Sequence, residues 1–258
     1  MKHCVHPEIN IYYYEYAKDC SYWTFKNVFA PYWRFYWNAT PGGEIFYKGR
    51  SIVLNPDSIV LISPNTCFST KAHTSFEQFH VHFIADCPFD HVYQNIYTFP
   101  ITEDMKDKMI KMKKHMPDKQ KNMHFKMMLF SLIYDGLLKI PKDAFITNLH
   151  QYDSRIVKIL ELLDKNTSWV FTNNELAEKI DMSCNGFIRL FSSETGTSPL
   201  QYSRRKRIEK ACLLLHFSKQ SIDDIALRTG FQDRYYFSRV FKQVTNNSPA
   251  QFRKAGNQ

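Results

Sequence analysis

The sequence predicts an α+β chain of two domains. The first is an N-terminal β-barrel with helices after it. The second is an all-α domain of two helix-turn-helix units joined by a long helix. Three observations predict this. From about residue 20 to residue 98, short runs rich in Tyr, Phe, Trp, Val and Ile alternate with turn signals. Beyond residue 155 the apolar residues recur at helical spacing. There, too, one five-residue device occurs twice, as FIRLF at Phe187–Phe191 and FSRVF at Phe237–Phe241.

The strand candidates are YWRFYWN, GEIFYK, SIVLN, SIVLISP, CFSTK and EQFHVHFIA, separated by TPGG, KGR, NPD and SPNT. Many short strands with polar turns make a small sandwich or barrel. Side chains alternate along a strand. Trp33, Phe35 and Trp37 therefore share one face, and Arg34, Tyr36 and Asn38 the other. On the last strand Gln78, His80 and His82 lie together. In a ligand-binding barrel one face lines the lumen, where a few polar groups orient a small molecule. Arg34, Tyr36, Asn38, Gln78, His80 and His82 would suit a sugar or a carboxylate. With the opposite parity, Trp33 or Trp37 would stack on a sugar ring. Alternation alone leaves the parity open.

Two helices should follow. TEDMKDKMIKMKKHM places Met105, Met109, Met112 and Met116 on one stripe, and NMHFKMMLFSLIYDGLL does the same for Phe125, Met128, Leu129, Leu132 and Leu137. Such stripes pack on the chain's own core or, alternatively, form a subunit interface. PKDAFITNLHQYDS reads as a linker, giving domains 1–145 and 155–258, and RIVKILELLDKN opens the second as its first helix.

The repeated device explains itself through helix geometry. Residues at i, i+3 and i+4 share a face. Phe187, Leu190 and Phe191, and again Phe237, Val240 and Phe241, form buried backs, while Arg189 and Arg239 point away. Upstream of the first copy, Thr172 or Asn173 caps a helix carrying Leu176, Ala177 and Ile180. Asp181 and Met182 then turn the chain, and Ser183 caps again. Upstream of the second, Ser221 caps a helix carrying Ile222, Ile225 and Ala226, Gly230 supplies a turn with positive φ, and Asp233 caps. Ala177 and Ala226 are small where two helices must approach. Helix, short turn, helix is the plan whose second helix enters the DNA major groove. The exposed faces then present Asn185, Ile188, Arg189 and Ser192 in the first copy. In the second they present Arg234, Tyr235, Ser238, Arg239 and Lys242.

The residues Leu176-Ala177, Ser183, Arg189, Phe191, Gly196, Pro199, Tyr202, Arg207, Ala211, Leu214-Leu215, Ile222, Ile225-Ala226, Gly230-Phe231, Phe237, Arg239, Phe241, Ser248-Pro249, Phe252 and Arg253 carry a resemblance. Together they resemble the DNA-binding domain of the AraC/XylS family of bacterial transcription regulators. Asn246-Asn247 stands where that family usually has a glycine, and asparagine tolerates left-handed backbone. Gly186 weakens the first recognition helix by roughly 1 kcal/mol relative to alanine. The N-terminal half resembles the family's cupin-like sensor domain. The resemblance implies double-stranded promoter DNA and a small-molecule effector as partners. It also implies a homodimer through the sensor helices, RNA polymerase contact in an activator, and a cytoplasmic location. Enzymatic cupins complete an HxH strand with a later glutamate and a distant histidine. Here IADCPFDH offers no glutamate, and His91 falls in a loop-like stretch. No metal, cofactor or catalytic role is therefore expected, and no phosphate loop or nucleophile elbow appears. The rival readings are a metal-binding enzymatic cupin fused to a DNA-binding domain, or a regulator controlled by a partner protein.

Charge agrees with a polyanionic partner. The net charge is +9, and residues 155–258 hold 17 Lys and Arg against 10 Asp and Glu, whereas residues 1–154 hold 17 against 15. Part of Arg204–Arg207, RRKR, is expected near phosphate. Six cysteines without CxxC spacing read as free thiols in a reducing compartment. The N-terminus lacks an apolar secretory core, and no run is long enough to span a bilayer.

Overall fold

The computed structural model describes residues 7–116, 123–146 and 152–256. The chain divides into two compact units, Met1–Ile146 and Thr147–Gln258.

The first unit holds β1 (Ile9–Ala17), β2 (Phe25–Val28), β3 (Trp33–Asn38), β4 (Gly43–Tyr47), β5 (Arg50–Val53), β6 (Ser58–Ile62), β7 (Phe68–Ala72), β8 (Gln78–Ala85) and β9 (Ile96–Pro100). Helices α1 (Glu103–His115) and α2 (Met123–Leu137) follow. The strands form two antiparallel sheets, ordered β1-β8-β3-β6-β9 and β2-β7-β4-β5. One core lies between the sheets, where Tyr36, Val60 and Ile62 of the larger meet Ile45, Tyr47 and Phe68 of the smaller. A second core lies on the other side of the larger sheet. There Trp33, Phe35, Trp37, Leu61 and Val81 meet Met105, Met109, Met112, Phe125, Leu129 and Leu132. This settles the parity of β3: the Trp-Phe-Trp row lies under the helices, and the Arg-Tyr-Asn row faces the lumen. Gly136 lets α2 close on the sheet, since a Cβ there would lie 3.2 Å from Leu61 Cδ1 and 3.4 Å from Phe35 Cε2.

The methionine stripe packs on the chain's own core, with Met105, Met109 and Met112 each at most 1% exposed and Met116 partly buried against them. It is therefore not an interface. β1, β2 and β9 lie outside the strand candidates. The run INIYYYEYA shows no alternation of apolar and polar residues, and β1 is an edge strand with a bulge between Ile11 and Tyr13. Residues 141–146 do not link the units as expected. The Tyr93 amide donates to Ala144 O at 3.0 Å, the Ile146 amide donates to His91 O at 3.0 Å, and Phe145 bridges Val92. Backbone pairing thus binds this segment into the first unit; the rest of the linker candidate up to 151 lies outside the described residues.

The second unit comprises α3 (Ser154–Lys165), α4 (Asn173–Glu178), α5 (Cys184–Thr195), α6 (Pro199–Phe217), α7 (Ile222–Arg228), α8 (Arg234–Thr245) and α9 (Pro249–Gly256). Ile156, Ile159, Leu163, Leu176, Ala177, Phe187, Phe191 and Tyr202 form the first core. Beyond it, Phe237 packs tilted against Phe231 and Phe241, and Phe241 edge-on against Phe252, with Ile208, Ala211, Leu215 and Ile225 fully buried. α6 carries buried residues along its whole length, so one helix serves both halves.

Candidate nucleic-acid interface

Each recognition helix is placed by its start. Thr172 and Glu175 form a capping box on α4, Asp181 takes φ 53°, and the Ser183 hydroxyl accepts from the Gly186 amide at 3.2 Å to start α5. In the second copy the Ser221 hydroxyl accepts from the Asp224 amide, Gly230 takes φ 76°, and the Asp233 carboxylate accepts from the Tyr235 and Tyr236 amides. Both caps lie in the extended region of backbone space, as an N-cap requires. Gly186 sits three residues into α5, where an added Cβ would lie 3.0 Å from the Ser183 hydroxyl. Glycine's weak helix propensity there is offset by an unobstructed cap. At the far end Asn246 takes φ 60° and closes α8, in the place Gly196 fills for α5.

The exposed faces differ between copies. On α5, Asn185 and Arg189 are exposed and Ser192 is half-buried. Ile188 departs from the expected free face, since it is half-buried against the first core beside Met182 and Leu190. On α8, Arg234, Tyr235, Arg239 and Lys242 are exposed and Ser238 is half-buried. Tyr235 is 83% exposed, which no packing role explains. Arg234 Nη1 donates to Asp223 Oδ2 of α7 at 2.9 Å, so it is partly committed within the protein. Sequence reasoning missed Tyr236, whose ring lies 5.4 Å from the Arg239 guanidinium carbon. The three-residue spacing was the available signal, because i and i+3 side chains meet on a helix.

The RRKR run is not one solvated face. Arg207 is buried, donates through Nη1 to Gly230 O at 3.0 Å, and lies 4.4 Å over the Phe231 ring. It locks the turn of the second copy. Lys206 lies 3.2 Å from Asp164. Arg205 is exposed, 3.9 Å from Glu209 and 5.3 Å from the Tyr202 ring, and Arg204 is half-buried; these two are the arginines of the run that an outside anion can reach.

In the first unit the six lumen candidates form three cross-strand pairs between β3 and β8: Arg34 with His82, Tyr36 with His80, and Asn38 with Gln78. Gln78 Nε2 donates to Asn38 Oδ1 at 3.0 Å, while Asn38 Nδ2 is buried with no partner among the described residues. Rings continue from this grid toward the β1 edge. Tyr32 lies 5.0 Å from His82, His80 lies 5.5 Å from His82, and Tyr13 lies 5.6 Å from His80. Arg34 is 3% exposed, with its guanidinium carbon 5.0 Å from the Tyr32 ring and 5.2 Å from the Phe68 ring. Burying an ion costs several kcal/mol, and a desolvated cation–π contact returns about 2 kcal/mol. Among the described residues, no group of three or more His, Cys, Asp or Glu is placed to hold a metal ion. Nor, among these residues, is any helix long and apolar enough to cross a membrane. Five described cysteines are free thiols.

Known proteins resemble this chain in two ways. Residues 176–255 match the family described as a helix-turn-helix domain. The transcriptional activator RhaS of Escherichia coli is 33% identical over 118 residues, covering 46% of this chain and 42% of RhaS. An uncharacterised transcriptional regulator of the same type from Haemophilus influenzae is 41% identical over 125 residues, covering 48% of this chain and 39% of that protein. The chain thus spans less than half the length of these curated relatives. ToxT of Vibrio cholerae matches in fold across both units, with a TM-score of 0.57 at 16% identity, covering 97% of this chain and 98% of ToxT. Two capped helix-turn-helix copies on one connecting helix coincide with the matched residues, so residues 176–255 form a helix-turn-helix domain, and the match to ToxT is one of fold.

Proposed function

We propose that this chain regulates transcription by binding promoter DNA through its C-terminal unit, under control of a small molecule bound in its N-terminal barrel. What carries the reading is the pair of recognition helices on one rigid connector. Each presents an exposed arginine, Arg189 or Arg239, at the same place in the repeated device. The 19 residues of α6 span about 28 Å at 1.5 Å per residue. Two helices reading successive major grooves on one face of DNA need about 34 Å between them. The connector plus the half-widths of the helices it joins supplies that separation.

In this reading Arg189, Asn185, Arg239 and Tyr235 reach base edges, while Ser192, Arg234, Ser238 and Lys242 approach phosphates, with Ile188 giving apolar contact at the edge of its patch. Its sense is activation through RNA polymerase, for which the likeness to the activator RhaS is the support. The effector-binding residues are Arg34, Tyr36, Asn38, Gln78, His80 and His82. A ToxT structure of similar fold, with TM-score 0.55, holds an unsaturated fatty acid, which supports small-molecule control of this architecture. The role is regulatory rather than catalytic, and its place is the bacterial cytoplasm, where promoter DNA is found. Met123 and Met127, 69% and 64% exposed, continue with Phe130 along one face of α2, and a second copy of the chain is the partner we assign to that face.

Fluorescence anisotropy with a duplex across a salt series tests the DNA reading. Log affinity should fall linearly with log salt as counterions are released. A flat response removes DNA as the partner.

A further inference from the structure

In the second unit the two helix-turn-helix copies meet directly as well as through α6. Gly230, in the turn between α7 and α8, lies so close to the loop before α4 that an added Cβ would stand 2.9 Å from Ser168 O and 3.2 Å from Val170 Cγ2. A cavity of about 530 Å³ opens at this seam. Val170, Phe171, Leu200, Phe231 and Tyr236 supply its apolar walls, and Arg204, Arg207 and Asp233 also line it. The acceptors of this lining are spent. Gly230 O takes Arg207 Nη1 at 3.0 Å, and the Asp233 carboxylate takes the Tyr235 and Tyr236 amides at 3.0 and 2.9 Å. The donors are not. Arg207 is 9% exposed, and its Nε is buried with no hydrogen-bond partner among the described residues. Arg204 is half-buried and, among those residues, makes no hydrogen bond or ion pair. Buried donors are seldom left unpaired in a folded chain. We infer that this cavity is a ligand site for a planar aromatic monoanion, and that filling it weakens DNA binding. The second half of this inference rests on the reading of the second unit as a DNA binder.

Charge, shape and position favour this ligand class. Two arginines and one carboxylate leave the lining one positive charge in excess, which a singly charged ligand balances. A guanidinium donates to the oxygens of a sulfonate or a carboxylate alike. Val170 and Leu200 leave apolar surface in water here, being 51% and 46% exposed, and a flat ring between them and Phe171, Phe231 and Tyr236 would cover it. The volume falls within the range of small-molecule pockets, about 300–1,000 Å³. The link to DNA runs through Tyr236, which lines the cavity and whose ring lies 5.4 Å from the Arg239 guanidinium carbon. An anion against that ring sits beside the arginine assigned to base reading, neutralises Arg204 and adds negative charge on the side that faces a polyanion.

Calorimetry on the full chain tests the site, with naphthalene-2-sulfonate and 2-naphthoate, each beside its neutral amide, and inorganic phosphate as a further probe. Both aromatic anions should bind, each roughly five- to tenfold more tightly than its amide. Arg204→Gln should remove that preference. Leu200→Glu should weaken anion binding roughly tenfold or more, by placing a like charge in the wall. Leu200 lies in the first turn of α6, where a carboxylate suits the helix dipole, so this variant keeps its fold. Melting temperatures check both variants, and either one alone locates the ligand. Anion binding unchanged in the folded variants places the ligand elsewhere in the chain and overturns the inference. Equal binding of anion and amide, binding of phosphate alone, or no binding of either aromatic anion also overturns it. Anisotropy with a duplex at matched ionic strength reads the coupling. A saturating aromatic anion should lower DNA affinity roughly fivefold or more, and the duplex should weaken anion binding by the same factor. DNA affinity unchanged with the anion bound overturns the coupling. The salt series without any anion reads the DNA proposal separately, so its failure is distinguishable from failure of the site.

Discussion

Arg234 Nη1 lies 2.9 Å from Asp223 Oδ2, so the first residue of the second recognition helix is held by the helix that precedes it. Both side chains are more than half exposed, and such a pair contributes only a few tenths of a kcal/mol to folding. Its effect on DNA should be larger. In the proposed complex Asp223 would withhold a positive charge and place a negative one beside the duplex. Asp223→Ala should raise DNA affinity by roughly three- to tenfold at low salt, with little change in melting temperature. Anisotropy measures the first and calorimetry the second. Weaker binding by the variant would mean that Asp223 aims Arg234 rather than restraining it.

Arg239 stands over the Tyr236 ring with its guanidinium free to project. If it reads a guanine edge, Arg239→Ala costs about 1–3 kcal/mol and relaxes one operator position. Tyr236→Ala should produce a weaker form of the same defect, because it removes the surface that steadies the arginine. Selection of binding sites from a randomised duplex distinguishes the outcomes. Uniform loss on every sequence would assign Arg239 to phosphate.

Within RRKR, burial separates the roles. Arg207→Ala should destabilise the C-terminal unit by about 1–3 kcal/mol, because Gly230 O loses its donor and Phe231 its cover. It should leave the salt slope of DNA binding unchanged. Arg205→Ala should do the reverse, lowering the slope by about 1 with stability intact. Denaturant titration paired with salt-series anisotropy checks both. An equal effect of the two substitutions would deny the division.

Phe241→Ala empties a fully buried site between Phe237 and Phe252 and should cost about 3–5 kcal/mol. Chemical denaturation of the C-terminal unit reads this directly. A cost below about 1 kcal/mol would show that the second core repacks around the gap.

The isolated 155–258 fragment should protect two sites one helical turn apart, without palindromic symmetry. α5 offers Asn185 and Arg189, and α8 offers Tyr235 and Arg239, so the two half-contacts should differ in sequence. Hydroxyl-radical footprinting decides it. Protection over a single turn would leave α5 without a reading role.

What the sequence by itself determined is the part written in local spacing. Caps at Thr172 or Asn173, Ser183, Ser221 and Asp233, a left-handed turn at Asn246-Asn247, and the Phe pairs of the repeated device each depend on residues within one or two turns of each other, and the structure chose Thr172 and Asn246. Short-range geometry allows few alternatives there, so the helix-turn-helix copies are legible without a structure. Only the tertiary structure decided which side of β3 is the inside. A strand's alternation is unchanged when its faces are exchanged; burial of Trp33, Phe35 and Trp37 beneath α1 and α2 is what turns Arg34, Tyr36 and Asn38 toward the lumen. β1 was illegible for a related reason, since its run of tyrosines is sorted into two environments only by pairing with β8. Arg207 and Arg205 look alike in a string of four cations. One lies under a turn contributed by residues more than twenty positions away, and no periodicity within the run carries that contact.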